Sequence, residues 1–568
     1  MKKIIIPFAA CALLLSSCSQ SRLEIPQKGV ISLDNFYQTD EDAEMAIVSA
    51  YDVMFTQYTS VGNDNIFTAI WNYPGDDMIA AGNNKTDNIM ENELHAFRFP
   101  VTSGMISGAY NAFYRTVYAA NLAIDHFKDG LPEGGHTDVT RRVVAEAKVI
   151  RALQFMQLGF GWGTPPIVDH VLDAADKPGN AESQKAVYEF VIKDCEEALP
   201  YLRERKGPDD KNGAVIVTKA LAYTIIGKTK LFMEDYAGAQ AALAEVIDSG
   251  NYELVDGKDL ENSFHFAGDG NSEKVFELNN VYDSSIGSYN NHAQKNANWL
   301  WNWRNDVMHI PNGKGTVMYK TGWGECNPSQ KFVDVLIEND GMDSYRRKAW
   351  IRNYDEVLYD MPYATDGDSF APGKTAFKES DPKRGIYRPS GLYGSVGWFM
   401  WKVNVQLQDL SPNNRGMANF RIFRLPEIYL MYAECAVKTG KDVDKALDLV
   451  KQIQMRAGSK TVSTELTMDV VKREKMIECW LEGCRYQDIL RWKDYDELKL
   501  NGRYFPNYVD KLFSGGDKHE GYIDESDADW CVKLYPELGF DVKKHLLFPF
   551  PYSEISINPN IKQNPGWE

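Results

Sequence analysis

Two stretches of the chain carry the pattern of paired helices, and this pattern constrains the fold more than any other feature. Apolar residues recur at helical spacing in residues 218–249 and again in residues 426–457. The close-packed seams would lie at Gly227, Tyr236, Ala239 and Ala242 in the first stretch and at Ala433, Gly440 and Ala446 in the second. Both stretches therefore predict tetratricopeptide-like units, whose helices bury a continuous core only when they stack.

The sequence between the two stretches has a different character. Residues 251–419 are rich in Gly, Asn, Asp, Trp and Tyr, with few helical windows and with turn dipeptides such as Asn312-Gly313. Segments of this length without regular structure are usually functional when they occur inside a compact protein. The sequence thus predicts a mainly α fold, in which a tetratricopeptide-like scaffold of helical pairs carries a large loop-rich insertion.

The first eighteen residues predict export and lipid anchoring. Lys2 and Lys3 precede an apolar run from Ile4 to Leu15, which makes about 18 Å of helix and cannot cross a bilayer core of about 30 Å. The run ends in Leu15-Ser16-Ser17-Cys18, which resembles the lipobox of bacterial lipoproteins and implies cleavage before an acylated Cys18. The alternative is a plain secretory signal followed by an incidental cysteine.

These features divide the chain into six predicted segments. They are a signal peptide (1–17), a lipidated tether (18–35), an N-terminal helical scaffold (36–250), a Trp-rich ligand-binding insertion (251–419), C-terminal tetratricopeptide-like helices (420–498) and an irregular segment that packs on the scaffold (499–568).

Composition and motifs exclude several classes of function. The chain has 62 Lys and Arg against 80 Asp and Glu, a net charge of −18, so it lacks the basic surface of a nucleic-acid-binding protein. It has no HExxH, GxSxG or Walker motif, and no cofactor is predicted. The loops at residues 366–368 and 63–65 could bind calcium, but neither matches a full EF-hand pattern and turn chemistry explains both, so no metal site is predicted. Ile477, Trp480, Leu481 and Cys484 recur at helical spacing and predict a helix through residues 477–484. Cys479 and Cys484 fall on different faces of it, so no bridge between them is expected.

Tryptophans with polar neighbours are the best candidates for ligand contact. Trp299, Trp301 and Trp303 alternate, so an extended backbone would place all three rings on one side. Flat rings pack against the C–H face of a sugar, while Asn, Asp and Arg bond its hydroxyls. The predicted ligand-binding residues are Trp71, Tyr73, Asp76, Asp77, Trp299, Trp301, Trp303, Arg304 and Trp323. The alternative is that these rings fill the core of the insertion.

Five segments carry distinctive residue patterns: FYQTDEDAEMAIVSAY (36–51), AEAKVIRALQFMQLGFGWGTPPIV (145–168), FRLPEIYLMYAEC (423–435), REKMIECWLEGCRYQDILRW (473–492) and LLFPFPYSEISINPNIKQNPGW (546–567). Together they resemble the SusD/RagB family of Bacteroidetes outer-membrane lipoproteins. They occur in the family's order along nearly the whole mature chain. The Glu and Arg residues of 473–492 are interpreted as structural ion pairs.

The resemblance implies a function without chemistry. Such proteins bind glycans at the cell surface and pass oligosaccharides to a SusC-like TonB-dependent transporter. The resemblance therefore implies an oligosaccharide ligand, a SusC-like partner and no catalytic residues. It also implies an outer-membrane location facing the cell exterior. The tether Ser19-Gln20-Ser21-Arg22 departs from the family because it lacks the acidic run often associated with surface export.

Three alternatives remain open at this point. A RagB-like peptide-binding uptake subunit keeps the fold and changes the cargo. A tetratricopeptide scaffold for protein partners would bury the tryptophans. A surface glycosidase would turn over a bound oligosaccharide.

Overall fold

Helices dominate the part of the chain that the structure describes. The computed structural model describes residues 36–62, 64–80, 88–280, 325–353, 356, 398–411, 416–498 and 539–568. Its α-helices are α1 (Asp40–Tyr58), α2 (Ile89–His95), α3 (Gly104–Phe127), α4 (Asp138–Trp162), α5 (Gln184–Ala198), α6 (Lys219–Phe232), α7 (Tyr236–Ile247), α8 (Gln330–Asp340), α9 (Tyr345–Trp350), α10 (Leu425–Thr439), α11 (Val443–Ala457), α12 (Met468–Glu478), α13 (Arg485–Trp492) and α14 (Tyr552–Ile557). The predicted mainly α class is confirmed.

The described strands are short and pair two by two. They are β1 (Met78–Ile79), β2 (Lys274–Leu278), β3 (Asn327–Pro328), β4 (Ile351–Asn353), β5 (Trp398–Met400) and β6 (Phe420–Arg424). All three pairs, β1–β3, β2–β6 and β4–β5, are antiparallel. Two of the helices, α8 and α9, lie within the predicted insertion, which is therefore more regular than its composition suggests.

Local sequence signals explain where the long N-terminal helices begin. Thr39 and Thr137 start α1 and α4, and each forms a reciprocal capping box with the residue three positions later. The hydroxyl of Thr137 also donates to Asp40 Oδ1 at 2.6 Å, so the two helix starts lie side by side. Deeper in the core, Tyr58 donates to Gln154 Oε1 at 2.9 Å.

The two predicted helix pairs are α6–α7 and α10–α11, and they stack on each other in space. A Cβ atom at Gly227 would lie 2.6 Å from Leu243 Cδ2, so only glycine permits the approach of α6 to α7. The hydroxyl of Thr439 on α10 donates to Gln240 Oε1 on α7 at 2.9 Å. Pairs that are about two hundred residues apart in sequence thus bury a shared seam.

The helix predicted through residues 477–484 is interrupted, and that prediction is wrong. Helix α12 ends at Glu478 and α13 begins at Arg485, with Leu481 and Gly483 at φ values of 60° and 76° between them. The buried Lys402 ammonium donates to the carbonyl oxygens of Glu478 and Trp480 at 2.9 and 2.7 Å. A distant cation therefore satisfies carbonyls that a continuing helix would have bonded itself. Cys479 and Cys484 consequently lie at two helix ends, and both are free thiols.

A buried network of charges lies where these helix ends meet β2 and β6. Its members are Arg346, Lys402, Arg424 and Arg456 with Glu273, Asp340, Glu474, Glu478 and Glu482. The Glu478 carboxylate is fully buried and contacts three guanidinium groups. The interpretation of 473–492 as structural ion pairs is confirmed for Glu478, Glu482, Arg485, Asp488 and Arg491.

The network predicts loss of stability in acid. Burial alone would raise the pKa of the Glu482 carboxyl, but Arg424 and Lys402 outweigh burial and hold that pKa at about 2. The ordinary pKa of glutamate in an unfolded chain is about 4.3. The stabilisation from Glu482 is therefore fully present above about pH 4.5 and is lost as the pH falls through 2.

Glu482→Gln is expected to lower the free energy of unfolding by about 3 kcal/mol at pH 7 and to flatten its pH dependence below pH 4.5. Urea unfolding at a series of pH values measures both effects. Glu204→Gln is the control, because Glu204 pairs with Lys219 at an exposed position. An unchanged acid limb in Glu482→Gln would contradict the prediction.

The C-terminal segment packs against the end of α4. The indole nitrogen of Trp162 donates to the carbonyl oxygen of Pro549 at 2.9 Å, and Phe548 N donates to Gly161 O at 2.7 Å. The Asn564 amide bonds the carbonyl oxygens of both Trp162 and Phe548. Residues near the end of the chain thus close the core that an early helix begins.

Candidate functional site at the base of the insertion

The early candidate residues lie in the interior of the protein. Trp71, Tyr73, Asp76 and Asp77 retain between 0 and 2% of their surface. Trp71 belongs to a π-helical turn, Thr68–Asn72, and its ring centroid lies 5.4 Å from that of Phe548. Other parts of the protein therefore pack on these four side chains, and direct ligand contact by any of them stays a prediction.

Asp76 joins three separate parts of the chain. Its carboxylate accepts from Arg485 Nε at 2.6 Å, Arg485 Nη2 at 2.8 Å and Lys331 Nζ at 2.6 Å. Burial would raise the pKa of this carboxyl, but Arg485 and Lys331 hold it well below its ordinary value. Asp76 is therefore charged at neutral pH and fixes the first turn of α8 against α13. We call Asp76, Lys331 and Arg485 the Asp76 cluster.

Contacts around this cluster fix residues 325–329, where the described part of the chain resumes after residue 324. Tyr73 donates to Glu325 Oε2 at 3.4 Å, and β1 pairs with β3 immediately afterwards. The hydroxyl of Ser329 donates to Asp76 O at 2.7 Å. Trp480 Nε1 in turn donates to Asp77 O at 3.0 Å, which joins the same segment to the helical scaffold.

Several hydrogen bonds also hold Asn280, the last described residue before residues 281–324. Asn280 N donates to Asn419 Oδ1 at 2.8 Å, and the Asn280 amide donates to the carbonyl oxygens of Gly416 and Ala418. Asn419 N donates to Asp269, and its amide donates to Glu277 Oε2 at 3.3 Å. Hydrogen bonds therefore connect Asn280 and Glu325, the two described residues that flank 281–324, to the helical scaffold. We call these contacts the base of the insertion.

The remaining candidate residues stay predictions. Trp299, Trp301, Trp303, Arg304, Trp323 and the lipidation residue Cys18 lie outside the described residues. The structure thus brings Tyr73, Asp76 and Asp77 together at the base, whereas Trp71 packs against Tyr486 and Phe548. It shows nothing of the aromatic residues that the base would present.

Sequence reasoning missed the partners of Asp76. Arg485 stood inside a recognised segment but gave no sign of which carboxylate it would meet, 409 positions earlier in the chain. Lys331 had no motif at all. The sequence shows only an acidic turn early in the chain and basic residues in later helices. Because many carboxylates could pair with those basic residues, the sequence did not identify Asp76 as the partner.

The described surface contains at least two cavities. One, of about 340 Å³, adjoins the Asp76 cluster and includes Lys331, Arg473 and Arg485 in its lining. The other, of about 440 Å³, lies away from the base between α6 and α7 and includes Tyr223 and Tyr252. Among the described residues no group of three or more His, Cys, Asp or Glu is placed to hold a metal ion.

Comparison with known proteins identifies the family. The model of the SusD family matches residues 272–567, which is more than half of the chain. The chain belongs to the SusD family. The matched region runs from β2 to the C-terminal segment and includes the buried charge network, Lys331 and Arg485.

Curated relatives match the SusD-family chain along its whole length. A SusD-like protein of Bacteroides ovatus is 23% identical over 600 residues, covering 100% of this chain and 98% of the relative. The SusD-like protein P2 of Formosa agariphila is 25% identical over 591 residues, covering 100% of both chains.

Solved structures of the SusD family share the fold. A laminarin-binding SusD-like protein superposes with a TM-score of 0.68 at 21% identity, covering 93% of this chain and 100% of that one. Surface glycan-binding protein A of Bacteroides thetaiotaomicron, in complex with laminarihexaose, gives a TM-score of 0.67 at 20% identity with the same coverage. Within the described residues, no helix has the length and apolar character needed to cross a bilayer.

Proposed function

We propose that this protein is a non-catalytic, cell-surface glycan-binding subunit that delivers oligosaccharide to a SusC-like TonB-dependent transporter. Its place would be the outer membrane, held by the acylated Cys18 and facing the cell exterior. The observation that carries the proposal is membership of the SusD family, together with a base that holds both ends of the Trp-rich stretch. Structural neighbours that bind laminarin and laminarihexaose support the choice of glycan as cargo.

The geometry of the base supports binding by preorganisation. A loop that must order when ligand arrives loses conformational entropy, and that loss weakens affinity. The Asn280–Asn419 contacts and the Tyr73–Glu325 bond beside the Asp76 cluster hold the described residues that flank 281–324 in the absence of ligand. Ring stacking by Trp299, Trp301 and Trp303 would then give an affinity in the millimolar to micromolar range, about −4 to −8 kcal/mol.

The first test is retention of oligosaccharides by lipid-free residues 19–568. A panel of plant, host and microbial oligosaccharides plus peptides is scored for bound ligand and for reaction products. Retention of one glycan class without cleavage supports the proposal. Retention of peptides alone moves the cargo to peptides, and release of product would assign an enzyme instead.

Replacement of Trp299, Trp301 and Trp303 by Ala is expected to weaken binding of the retained glycan by about a hundredfold, since each stacked ring contributes about 1 kcal/mol. Isothermal titration measures the loss. The matched control replaces three exposed aromatic residues elsewhere, Tyr118, Tyr201 and Tyr552, by Ala. Equal affinity in the tryptophan variant and the control would remove these rings from the site.

A further inference from the structure

The cavity beside the Asp76 cluster has the features of a separate binding site. It encloses about 340 Å³ between α8, α12, α13 and the 3₁₀ turn Tyr495–Leu498. Its lining contains four basic side chains, Lys331, Lys472, Arg473 and Arg485, and three acidic ones, Glu338, Asp494 and Glu497, beside an apolar wall that includes Val335 and Met476. The basic side chains therefore outnumber the acidic ones by one.

Three of the four cations already have carboxylate partners. Arg485 and Lys331 share Asp76, and Lys331 also pairs with Glu497. Lys472 pairs with Asp494 at 2.5 Å. These pairs neutralise most of the charge at the rim and floor of the cavity and hold the basic side chains in place.

Arg473 differs from its neighbours because it has no such partner. It forms no ion pair with any carboxylate of the described residues, and its Nε atom is buried without a hydrogen-bond partner. The other arginines of the same two helices, Arg485 and Arg491, both bind carboxylates through their guanidinium forks. A half-buried guanidinium without a counter-charge is matched by an incoming carboxylate or sulfate, which it can bind through two parallel hydrogen bonds.

We propose that this cavity binds the acidic group, a carboxylate or a sulfate, of a negatively charged saccharide unit. Arg473 receives the anion, and the C–H face of the sugar ring packs toward Val335 and Met476. The choice of a saccharide over a peptide carboxylate rests on the proposed glycan-binding function. The anion site itself rests only on the cavity and on the unpaired Arg473. It lies beside the Asp76 cluster and uses none of the tryptophans predicted to bind glycan.

The test is titration of lipid-free residues 19–568 with sodium glucuronate and with glucose 6-sulfate, followed by isothermal calorimetry and ligand-observed NMR. Glucose, sodium acetate, sodium sulfate and a dipeptide are titrated in parallel. The variants are Arg473→Gln and, as a matched surface control, Arg141→Gln, whose guanidinium is exposed near Asp138. Because Arg473 takes part in no described ion pair, Arg473→Gln should keep the unfolding temperature of the wild type.

We expect at least one of the two acidic sugars to bind, glucose not to bind at the same concentrations, and the Arg473→Gln variant to bind the acidic sugar at least tenfold more weakly. Binding should also weaken as salt rises. Equal affinity in Arg473→Gln and the wild type, or no binding of either acidic sugar, would overturn the proposal. If acetate or sulfate binds as tightly as the acidic sugars, the assignment of a saccharide ligand is overturned. The same holds if the dipeptide binds more tightly than the acidic sugars.

The result can be separated from a failure of the proposed function. The monosaccharide probes report on Arg473, whereas oligosaccharide retention reports on the tryptophans. If Arg473-dependent binding of an acidic sugar occurs in a protein that retains no oligosaccharide, the uptake proposal fails and the anion site stands. If the protein binds no acidic sugar, and both the wild type and Arg473→Gln retain the oligosaccharide equally, the anion-site proposal fails and the uptake proposal stands.

Discussion

Glu478→Gln is expected to lower the free energy of unfolding by about 3–5 kcal/mol, the largest effect of any single substitution considered for this chain. The Glu478 carboxylate contacts Arg456 Nη2 at 2.6 Å, Arg346 Nη1 at 3.0 Å and Arg424 Nη2 at 3.2 Å. All four side chains are buried or nearly so, and water cannot replace the missing charge. Removal of the Glu478 charge therefore leaves three buried guanidinium groups with one negative charge fewer to balance them, in surroundings of low polarity.

The glutamine side chain fills the same space, so the loss reports on charge and not on a cavity. Its amide also turns two N–H donors toward guanidinium groups that can only donate, which adds unpaired donors to the interior. The pKa of the Glu478 carboxyl fits this account: burial opposes its ionisation, yet Arg456, Arg424 and Arg346 hold the pKa far below its ordinary value.

Urea unfolding followed by tryptophan fluorescence and circular dichroism measures the effect. Glu204→Gln again serves as the control, with an expected change below about 1 kcal/mol, since Glu204 keeps 61% of its side-chain surface. A loss below 1 kcal/mol in Glu478→Gln would show that the network tolerates one missing anion.

Asp76→Asn is expected to lower the free energy of unfolding by about 3 kcal/mol and to loosen the base of the insertion. The substitution leaves Arg485 without its main partner and removes one of the two carboxylates of Lys331. Backbone hydrogen exchange at residues 325–331 should rise at least tenfold, because the cluster joins that segment to α13. Ligand affinity at the proposed tryptophan platform should fall as well, since the platform loses one of its two supports.

A double substitution tests whether Asp76 acts through Arg485. In the Asp76→Asn/Arg485→Gln variant, the loss of stability should be smaller than the sum of the two single losses, because each single variant already breaks the same pair. Asp173→Asn, at an exposed position, is the control for the change of charge alone. Additive losses together with unchanged hydrogen exchange at 325–331 would disprove the coupling between the early turn and the base.

The helix pairs were predictable because their information is local. Small residues such as Gly227 and an apolar face at helical spacing report directly on the approach of two neighbouring helices. The stacking of α7 on α10 is not local, because Gln240 and Thr439 carry no sign of each other in the sequence. The family resemblance supplied the overall architecture where periodicity could not.

The failures have a common physical cause. The periodic apolar pattern at residues 477–484 predicts a helix, but the contact of Lys402 with two carbonyl oxygens, together with Gly483, ends it. Trp71 and Asp76 lie beside the turn residues Pro74 and Gly75, and the sequence predicts them as ligand contacts. They are buried because Phe548 and Arg485, more than four hundred residues away, pack onto them. The sequence around Trp71 and Asp76 does not indicate which distant segments cover these two residues.

The contact between α4 and the C-terminal segment determines when the chain can finish folding. Trp162 is synthesised 387 residues before Pro549, whose carbonyl oxygen accepts its indole hydrogen bond. Contacts of such long sequence separation form slowly, and early helices that await them keep apolar surface exposed. The core at the end of α4 therefore stays incomplete until residues 548–564 have been synthesised. A product that stops before residue 546 would lack these contacts and would expose the apolar surface around Trp162.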